Sequence, residues 1–198
     1  MSSNDSNSTQ PSRHYARALL IASFLPFCWL AMMVVHEFGH VVAAWSTGGT
    51  VAGVVLHPLA ISRTDVLPNP RPLIVVWAGP LVGSVAPLIL WLSLRAVRIP
   101  ESFLARFFAG FCLVANGAYI GVGSFDRIGD AGTMLQHGSP TLALWTFGCV
   151  SILAGFALWH GQGRHFGMGP YATQVGDRAV VISGCLLGTT LALELILN

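Results

Sequence analysis

Two histidines and a glutamate lie close together in the segment His36-Glu37-Phe38-Gly39-His40. On a helix, positions i and i+4 share one face, so His36 and His40 can bind one metal ion while Glu37 lies beside it. Zinc accepts neutral imidazole nitrogens, and in catalytic sites it keeps a position open for a water whose pKa it lowers to about 7. The spacing therefore predicts a zinc site in which Glu37 takes a proton from water.

The composition is typical of an integral membrane protein. Of the 198 residues, 54% are hydrophobic and 9% are charged, whereas soluble proteins have about 25% charged residues. An ionisable side chain at membrane depth is costly and usually marks a functional site. The net charge of +2 comes from scattered arginines, so no nucleic-acid surface is expected. The four cysteines lie in apolar stretches without CxxC spacing, which predicts neither disulfides nor a thiolate metal site.

Five stretches are apolar and long enough to cross the roughly 30 Å of membrane hydrocarbon. They lie at residues 18–45, 72–94, 107–125, 138–159 and 179–197. The sequence thus predicts an all-α polytopic transmembrane helical bundle with about five spans, in a multi-pass protein that we expect in the cell membrane. Gly184 and Gly188 in the last span form a GxxxG pair, which predicts close helix packing, with a dimer interface as the alternative.

The longest connection runs from Ser46 to Arg71 and mixes β-branched residues with Gly and Pro instead of following a helical period. We therefore predict a short extended segment or β-hairpin after the first span. Its edge would be available to an unwound substrate strand, which a protease in a membrane needs because a helix hides its peptide bonds. A plain surface loop is the alternative.

A catalytic zinc site needs a third protein ligand. Spans one and three run in the same direction, so the segment after span three begins at the membrane face nearest to the two histidines. Asp126 and Asp130 lie in that segment. We choose Asp130, which Gly129 and Gly132 flank on an irregular backbone, and keep Asp126 as its rival.

Three further polar residues lie near the predicted site. His57 and His137 are on the same side of the membrane and are alternatives as ligands or oxyanion donors, although a lone loop histidine is more often neither. Asn116 in span three can hydrogen-bond the substrate or the site, or it can simply tie helices together.

The chain resembles the site-2 protease family of intramembrane zinc metalloproteases. The resemblance rests on HEFGH in an apolar helix, on the Gly-Pro segment Ala78 to Gly83, on Asn116, and on the sequence GDAG at residues 129–132. In that family, an HExxH helix is followed two spans later by a segment whose aspartate completes the zinc site.

Carried over residue by residue, the resemblance implies that His36, His40 and Asp130 are the zinc ligands and that Glu37 is the catalytic residue. The chain departs from the family pattern at Ala131, where a glycine commonly follows the aspartate, and no proline precedes Asp130. The family generally has this site toward the cytosolic face. The arginine distribution instead favours a cytoplasmic N-terminus, which would place the site toward the outside.

These features predict a zinc metalloendopeptidase that hydrolyses peptide bonds of membrane-embedded or membrane-adjacent substrates, with Zn²⁺ and without an organic cofactor. A catalytically inactive relative that acts as a binding or regulatory scaffold is the alternative. A metal transporter is a third class, but polar residues cluster at one level of two spans instead of recurring along a pathway. The expected partners are a membrane protein substrate, the lipid bilayer and a separate regulatory protein, and no nucleic acid.

The chain is predicted to divide into two parts. Residues 1–16 form a disordered N-terminal tail, because the first twelve residues are polar and low in complexity. Residues 17–198 form a single transmembrane metalloprotease-like domain.

Overall fold

The computed structural model describes residues 9–59 and 61–196. Over these residues the elements are, in order, α1 (Thr9–Ser46), β1 (Val51–Val55), β2 (Arg63–Val66), α2 (Pro72–Ala96), α3 (Ser102–Asp126), α4 (Gly129–Gln136), α5 (Thr141–Trp159), a 3-10 helix (Gln162–Phe166) and α6 (Asp177–Ile196). The predicted all-α bundle with a β-hairpin after the first span is confirmed. Residues 9–16 of the predicted disordered tail are helical, and residues 1–8 of that prediction lie outside the described residues.

Within the described part of the chain, five helices are long and apolar enough to span a membrane. They are His14–Ser46, Pro72–Ala96, Ser102–Asp126, Thr141–Trp159 and Asp177–Ile196. The chain is therefore a multi-pass integral membrane protein, as predicted. The eight residues of α4 are too few to cross the membrane, so this helix belongs to the connection between the third and fourth spans.

The first helix is fixed at two levels. In its N-terminal half, the ring of Phe24 lies 5.8 Å from that of Phe107 and 6.1 Å from that of Phe166. In its C-terminal half it meets α2 backbone to backbone, because a Cβ on Gly39 would lie 2.5 Å from the Ala78 carbonyl oxygen. The glycine of HEFGH is therefore required by the approach of α2.

Glycines also allow α3 and α5 to approach each other. A Cβ on Gly117 would lie 2.9 Å from the Gly148 carbonyl oxygen, and a Cβ on Gly155 would lie 2.7 Å from the Gly110 carbonyl oxygen. Lipid chains are as apolar as leucine, so helices in a membrane gain stability from this close van der Waals contact rather than from a hydrophobic effect.

The GxxxG pair of α6 makes no such contact. A Cβ on Gly184 or on Gly188 would meet no atom of the described residues within 4 Å. The predicted close packing of this pair is therefore not made within the described chain, and the alternative of an interface with a second copy stays a prediction.

The hairpin after α1 is antiparallel, with Val54 opposite Thr64 and an irregularity between Val51 and Gly53. Exposure alternates along β2, where Arg63 and Asp65 face outward and Thr64 and Val66 face the helices. Val66 packs with Val51 against a small cluster that consists of Ala43, Ala44 and Val75. This packing fixes which side of β2 faces the polar residues of α1.

Candidate metal centre

Three side chains from two distant parts of the chain converge beside α1. Asp130 Oδ2 lies 2.8 Å from His36 Nε2 and 3.2 Å from His40 Nε2, and the two Nε2 atoms are 3.1 Å apart. Both histidines are buried, ten residues or fewer before the end of α1 at Ser46, which corresponds to about 15 Å or less along the helix axis. The chosen aspartate and the two histidines therefore meet at one point.

The other nitrogen of each imidazole is held by an acceptor. His36 Nδ1 donates to Asn116 Oδ1 at 2.7 Å, and the Asn116 amide nitrogen donates in turn to the Cys112 carbonyl at 2.9 Å. His40 Nδ1 donates to the Val75 carbonyl at 2.8 Å. Because a carbonyl oxygen can only accept, each neutral ring carries its proton on Nδ1 and leaves the Nε2 lone pair for a ligand.

The donor set fits a divalent cation. Two imidazole lone pairs and a carboxylate oxygen that approach within 3.2 Å repel one another unless positive charge lies between them. In a tetrahedral zinc site with bonds of about 2.0–2.1 Å, ligand atoms are about 3.3 Å apart. Among the described residues, His36, His40 and Asp130 are the group of His, Cys, Asp and Glu side chains arranged to hold a metal ion.

The second helix closes one side of the two histidines. A Cβ on Gly79 would overlap the His40 ring and would lie 2.8 Å from His36 Nε2. A larger residue at position 79 would therefore occupy the space into which both Nε2 atoms point. Gly83, one turn further along α2, likewise leaves room for the amide of Asn116, 2.9 Å from the position of a Cβ.

A sharp reversal between α3 and α4 brings Asp130 back toward α1. Arg127 caps α3 in the left-handed conformation with φ 54°, and Gly129 starts α4 with φ 54°. The Asp130 amide then donates to the Tyr119 hydroxyl at 3.2 Å. The sequence suggested irregular backbone for this segment, whereas the structure has the short helix α4, in which Asp130 lies in the first turn.

The protonation state of Asp130 follows from its neighbours. Burial raises the pKa of this carboxyl group, but the contacts with the imidazoles of His36 and His40 outweigh burial and lower the pKa to about 2. The side chain is therefore a carboxylate at neutral pH, the form that binds a metal.

Glu37 lies beside this group and is 3% exposed. Its Oε2 accepts a hydrogen bond of 2.7 Å from the hydroxyl of Thr64, which belongs to β2. The hairpin thus holds one oxygen of the carboxylate in place. Oε1 takes no hydrogen bond from the described residues.

The three converging residues and Glu37 line one cavity of about 1430 Å³. The hairpin forms another of its walls through residues 63–67. At the tip of the hairpin, Leu59 is 91% and Ile61 is 88% exposed. A polar site within an otherwise apolar cleft is typical of a site that binds a substrate and orients it through a few polar groups.

The rival ligands lie away from this centre. Asp126 is exposed at the end of α3, and His137 is exposed after α4. His57 accepts a hydrogen bond of 3.2 Å from the Leu59 amide in the hairpin loop. None of the three belongs to the described group that could hold a metal.

Two side chains that contribute to the site were not identified from the sequence. Thr64 is an ordinary strand residue by composition, and only the register of the hairpin shows that it faces Glu37. Tyr119 lies one turn after Asn116, with its ring centre 5.8 Å from that of His36. Its position three residues after a candidate polar residue on the same helix was the signal that would have suggested it.

The fold defines a membrane-spanning protein, and three of its side chains form a group that could hold a metal ion. The chain belongs to the Peptidase M50B-like family, whose model matches residues 16–120. This confirms the predicted relationship to the site-2 proteases, and peptidases of this family generally depend on zinc. Comparison with curated proteins and with solved structures finds no match. The family match includes His36, Glu37, His40 and Asn116 and ends before Asp130.

Proposed function

We propose that this protein is an intramembrane zinc metalloprotease that hydrolyses peptide bonds of membrane-embedded or membrane-adjacent protein substrates, and that residues 17–198 form one catalytic domain. The observation that carries the proposal is the convergence of His36 Nε2, His40 Nε2 and Asp130 Oδ2 within 3.2 Å of one another beside the buried Glu37. A structural metal staple would not need a buried carboxylate next to it that forms no ion pair with any of the described residues.

His36, His40 and Asp130 would hold the zinc ion. Bound zinc supplies Lewis acidity, which lowers the pKa of water and polarises a peptide carbonyl. Asn116 and the Val75 carbonyl keep both imidazoles in the tautomer that presents Nε2, so the ligands need no reorganisation.

Glu37 is the general base and acid. Its Oε1 takes a proton from the attacking water, and the carboxyl group passes that proton to the amide nitrogen as the carbon–nitrogen bond breaks. Thr64 anchors Oε2 during both steps, because its hydroxyl donates to Oε2 when Glu37 is a carboxylate and also when the proton is on Oε1. The Tyr119 hydroxyl accepts from the Asp130 amide and therefore keeps its own proton for a substrate oxygen in the cavity.

The hairpin is the proposed substrate-binding element. β1 and β2 form a two-stranded sheet, so β2 has one edge that is not paired with β1. An unwound substrate segment would add to this edge by main-chain hydrogen bonds, which exposes its peptide bonds to the centre. Since β2 also carries Thr64, a strand bound there would lie next to the base.

The experiment compares the full-length protein with Glu37→Gln in cells that lack the native protein, with Glu101→Gln as a matched control at the start of α3. New N-termini in membrane fractions are measured by mass spectrometry, and zinc is measured in the purified proteins. We expect the new N-termini to disappear in Glu37→Gln and to persist in Glu101→Gln, with zinc retained in both. Identical sets of N-termini in wild type and Glu37→Gln would overturn the proposal and favour a binding scaffold.

A further inference from the structure

A second cavity lies at the opposite end of the bundle from the metal centre. It has a volume of about 370 Å³ and is lined by residues from the end of α2, the start of α3 and the 3-10 helix. Three candidate spans begin or end next to it, at Ala96, Ser102 and Trp159. The cavity therefore lies at the level where membrane hydrocarbon meets the headgroups. Its volume is within the roughly 300–1,000 Å³ of ligand pockets.

Two arginines give this cavity a positive charge. Arg95 is exposed in the last turn of α2, with its guanidinium 5.7 Å from the centre of the Trp91 ring. Arg106 on α3 donates from Nη2 to the His160 carbonyl at 3.1 Å. Neither contact neutralises a charge. The acidic residue next to the cavity in sequence, Glu101, is instead directed at Arg178, 3.6 Å away.

Histidine does not add to the positive charge. His165 also lines the cavity, and its ring stacks on Phe103 with 4.9 Å between the ring centres. Burial lowers the pKa of His165, and the guanidinium groups of Arg164 and Arg106 lower it further. At neutral pH the cavity therefore carries the charge of its two arginines.

Two buried polar atoms at the cavity have no hydrogen-bond partner among the described residues. Arg106 Nε is an unused donor. Gln162 is 2% exposed, and although its Nε2 donates to the Phe103 carbonyl at 3.2 Å, its Oε1 is an unused acceptor. Buried polar atoms without a partner are costly, and in native proteins they usually indicate a missing ligand or water.

The two unused atoms would be satisfied by a ligand that offers an acceptor to Arg106 Nε and a donor to Gln162 Oε1. A phosphate oxygen accepts from the guanidinium donors of Arg95 and Arg106, which match phosphate geometry. A hydroxyl on the same ligand donates to Gln162 Oε1. We propose that this cavity binds the phosphate of an anionic phospholipid whose headgroup carries a hydroxyl, with the acyl chains along the exposed apolar surface of α2 at Ile89 and Leu92.

The test uses purified full-length protein in detergent, titrated with phosphatidylglycerol, with phosphatidylcholine and with inorganic phosphate, while bound lipid is counted by native mass spectrometry. Arg95→Gln is the primary variant, because Arg95 is exposed and its replacement leaves no buried gap. Arg98→Gln is the matched control, since it removes the same charge from an exposed residue three positions later that does not line the cavity. Arg106→Gln is a second variant.

We expect wild type to bind phosphatidylglycerol about tenfold more tightly than phosphatidylcholine, Arg95→Gln to lose that preference, and Arg98→Gln to keep it. Equal phosphatidylglycerol affinity in wild type, Arg95→Gln and Arg106→Gln would overturn the proposal, as would an equal loss in Arg98→Gln. Inorganic phosphate that binds as tightly as the lipid with the same dependence on Arg95 would overturn the lipid as the source of the phosphate. Zinc content and proteolysis do not enter this test, so it is independent of the proposed function.

Discussion

The Thr64 hydroxyl donates a hydrogen bond of 2.7 Å to Oε2 of Glu37, and it thereby joins β2 to the acidic residue of the HEFGH segment. The two residues are 27 positions apart in the chain. Because Glu37 lies on a rigid helix and Thr64 on a small hairpin, the position of the hairpin and the orientation of the carboxylate are coupled.

Replacing Thr64 with valine tests this coupling. Valine keeps the branched shape and the strand preference but removes the donor, so we expect kcat to fall about tenfold, as for a lost hydrogen bond to a charged group, with little change in KM. Thr64→Ser keeps the hydroxyl and should restore kcat to near the wild-type value. Kinetics on a substrate found by N-terminal mass spectrometry would measure both, and equal kcat in wild type and Thr64→Val would contradict the role of Thr64.

Asp126 at the end of α3 and Asp130 in α4 give opposite predictions for zinc binding. Asp130→Asn removes the carboxylate that meets both histidines, so we expect the purified variant to retain much less zinc than wild type. Asp126→Asn makes the same change four residues earlier at an exposed position and should retain zinc fully. Elemental analysis of both proteins decides between them, and loss of zinc in Asp126→Asn alone would assign the ligand to the rival residue.

Asn116 should affect the affinity for zinc by orienting His36, because it does not belong to the group that could hold the metal. Asn116→Leu removes the acceptor for His36 Nδ1 at 2.7 Å, so we expect zinc affinity to fall about 10- to 100-fold. Asn116→Asp keeps an oxygen acceptor for His36 Nδ1 but loses the donor to the Cys112 carbonyl, so it should bind zinc more tightly than Asn116→Leu. Competition with a fluorescent chelator measures both affinities. A wild-type affinity in Asn116→Leu would show that the hydrogen bond to His36 has no influence on the metal.

The contact of Gly39 with α2 predicts a loss of stability. A Cβ in Gly39→Ala would lie 2.5 Å from the Ala78 carbonyl, so the two helices must separate, at a cost of about 1–3 kcal/mol. Gly184→Ala is the control, because a Cβ there meets nothing among the described residues within 4 Å, and helical Gly to Ala gains about 0.5–1 kcal/mol. The midpoint of thermal unfolding in detergent should therefore be lower than that of wild type for Gly39→Ala and not for Gly184→Ala.

Local patterns were sufficient to predict much of this protein. Hydropathy alone locates the five spans, since crossing a bilayer requires a fixed length of apolar helix. The i, i+4 spacing places His36 and His40 on one face, and the direction of successive spans returns the chain to their level at Asp130. The assignment of these residues as ligands remains a proposal.

Contacts that depend on the approach of separate elements were not predictable. Thr64 meets Glu37 only because β2 pairs with β1 in one particular register, and a shift by one residue would turn Thr64 away. The GxxxG pattern of Gly184 and Gly188 suggested packing that this chain makes instead between α3 and α5. A motif of small residues indicates that a helix can be approached closely, but it does not say by which helix.

The acceptor that holds His40 belongs to the main chain, since it is the carbonyl oxygen of Val75. A saturation mutagenesis screen would therefore report, at position 75, on the packing of the Val75 side chain against Ala43 and Ala44, and not on the oxygen that orients one of the two histidines. The same screen would record intolerance at Gly39 and Gly79, where a side chain would displace the backbone of α2 or fill the space in front of both rings. Side-chain substitutions would thus reveal the close approaches at Gly39 and Gly79, but they would not reveal the main-chain oxygen that holds His40.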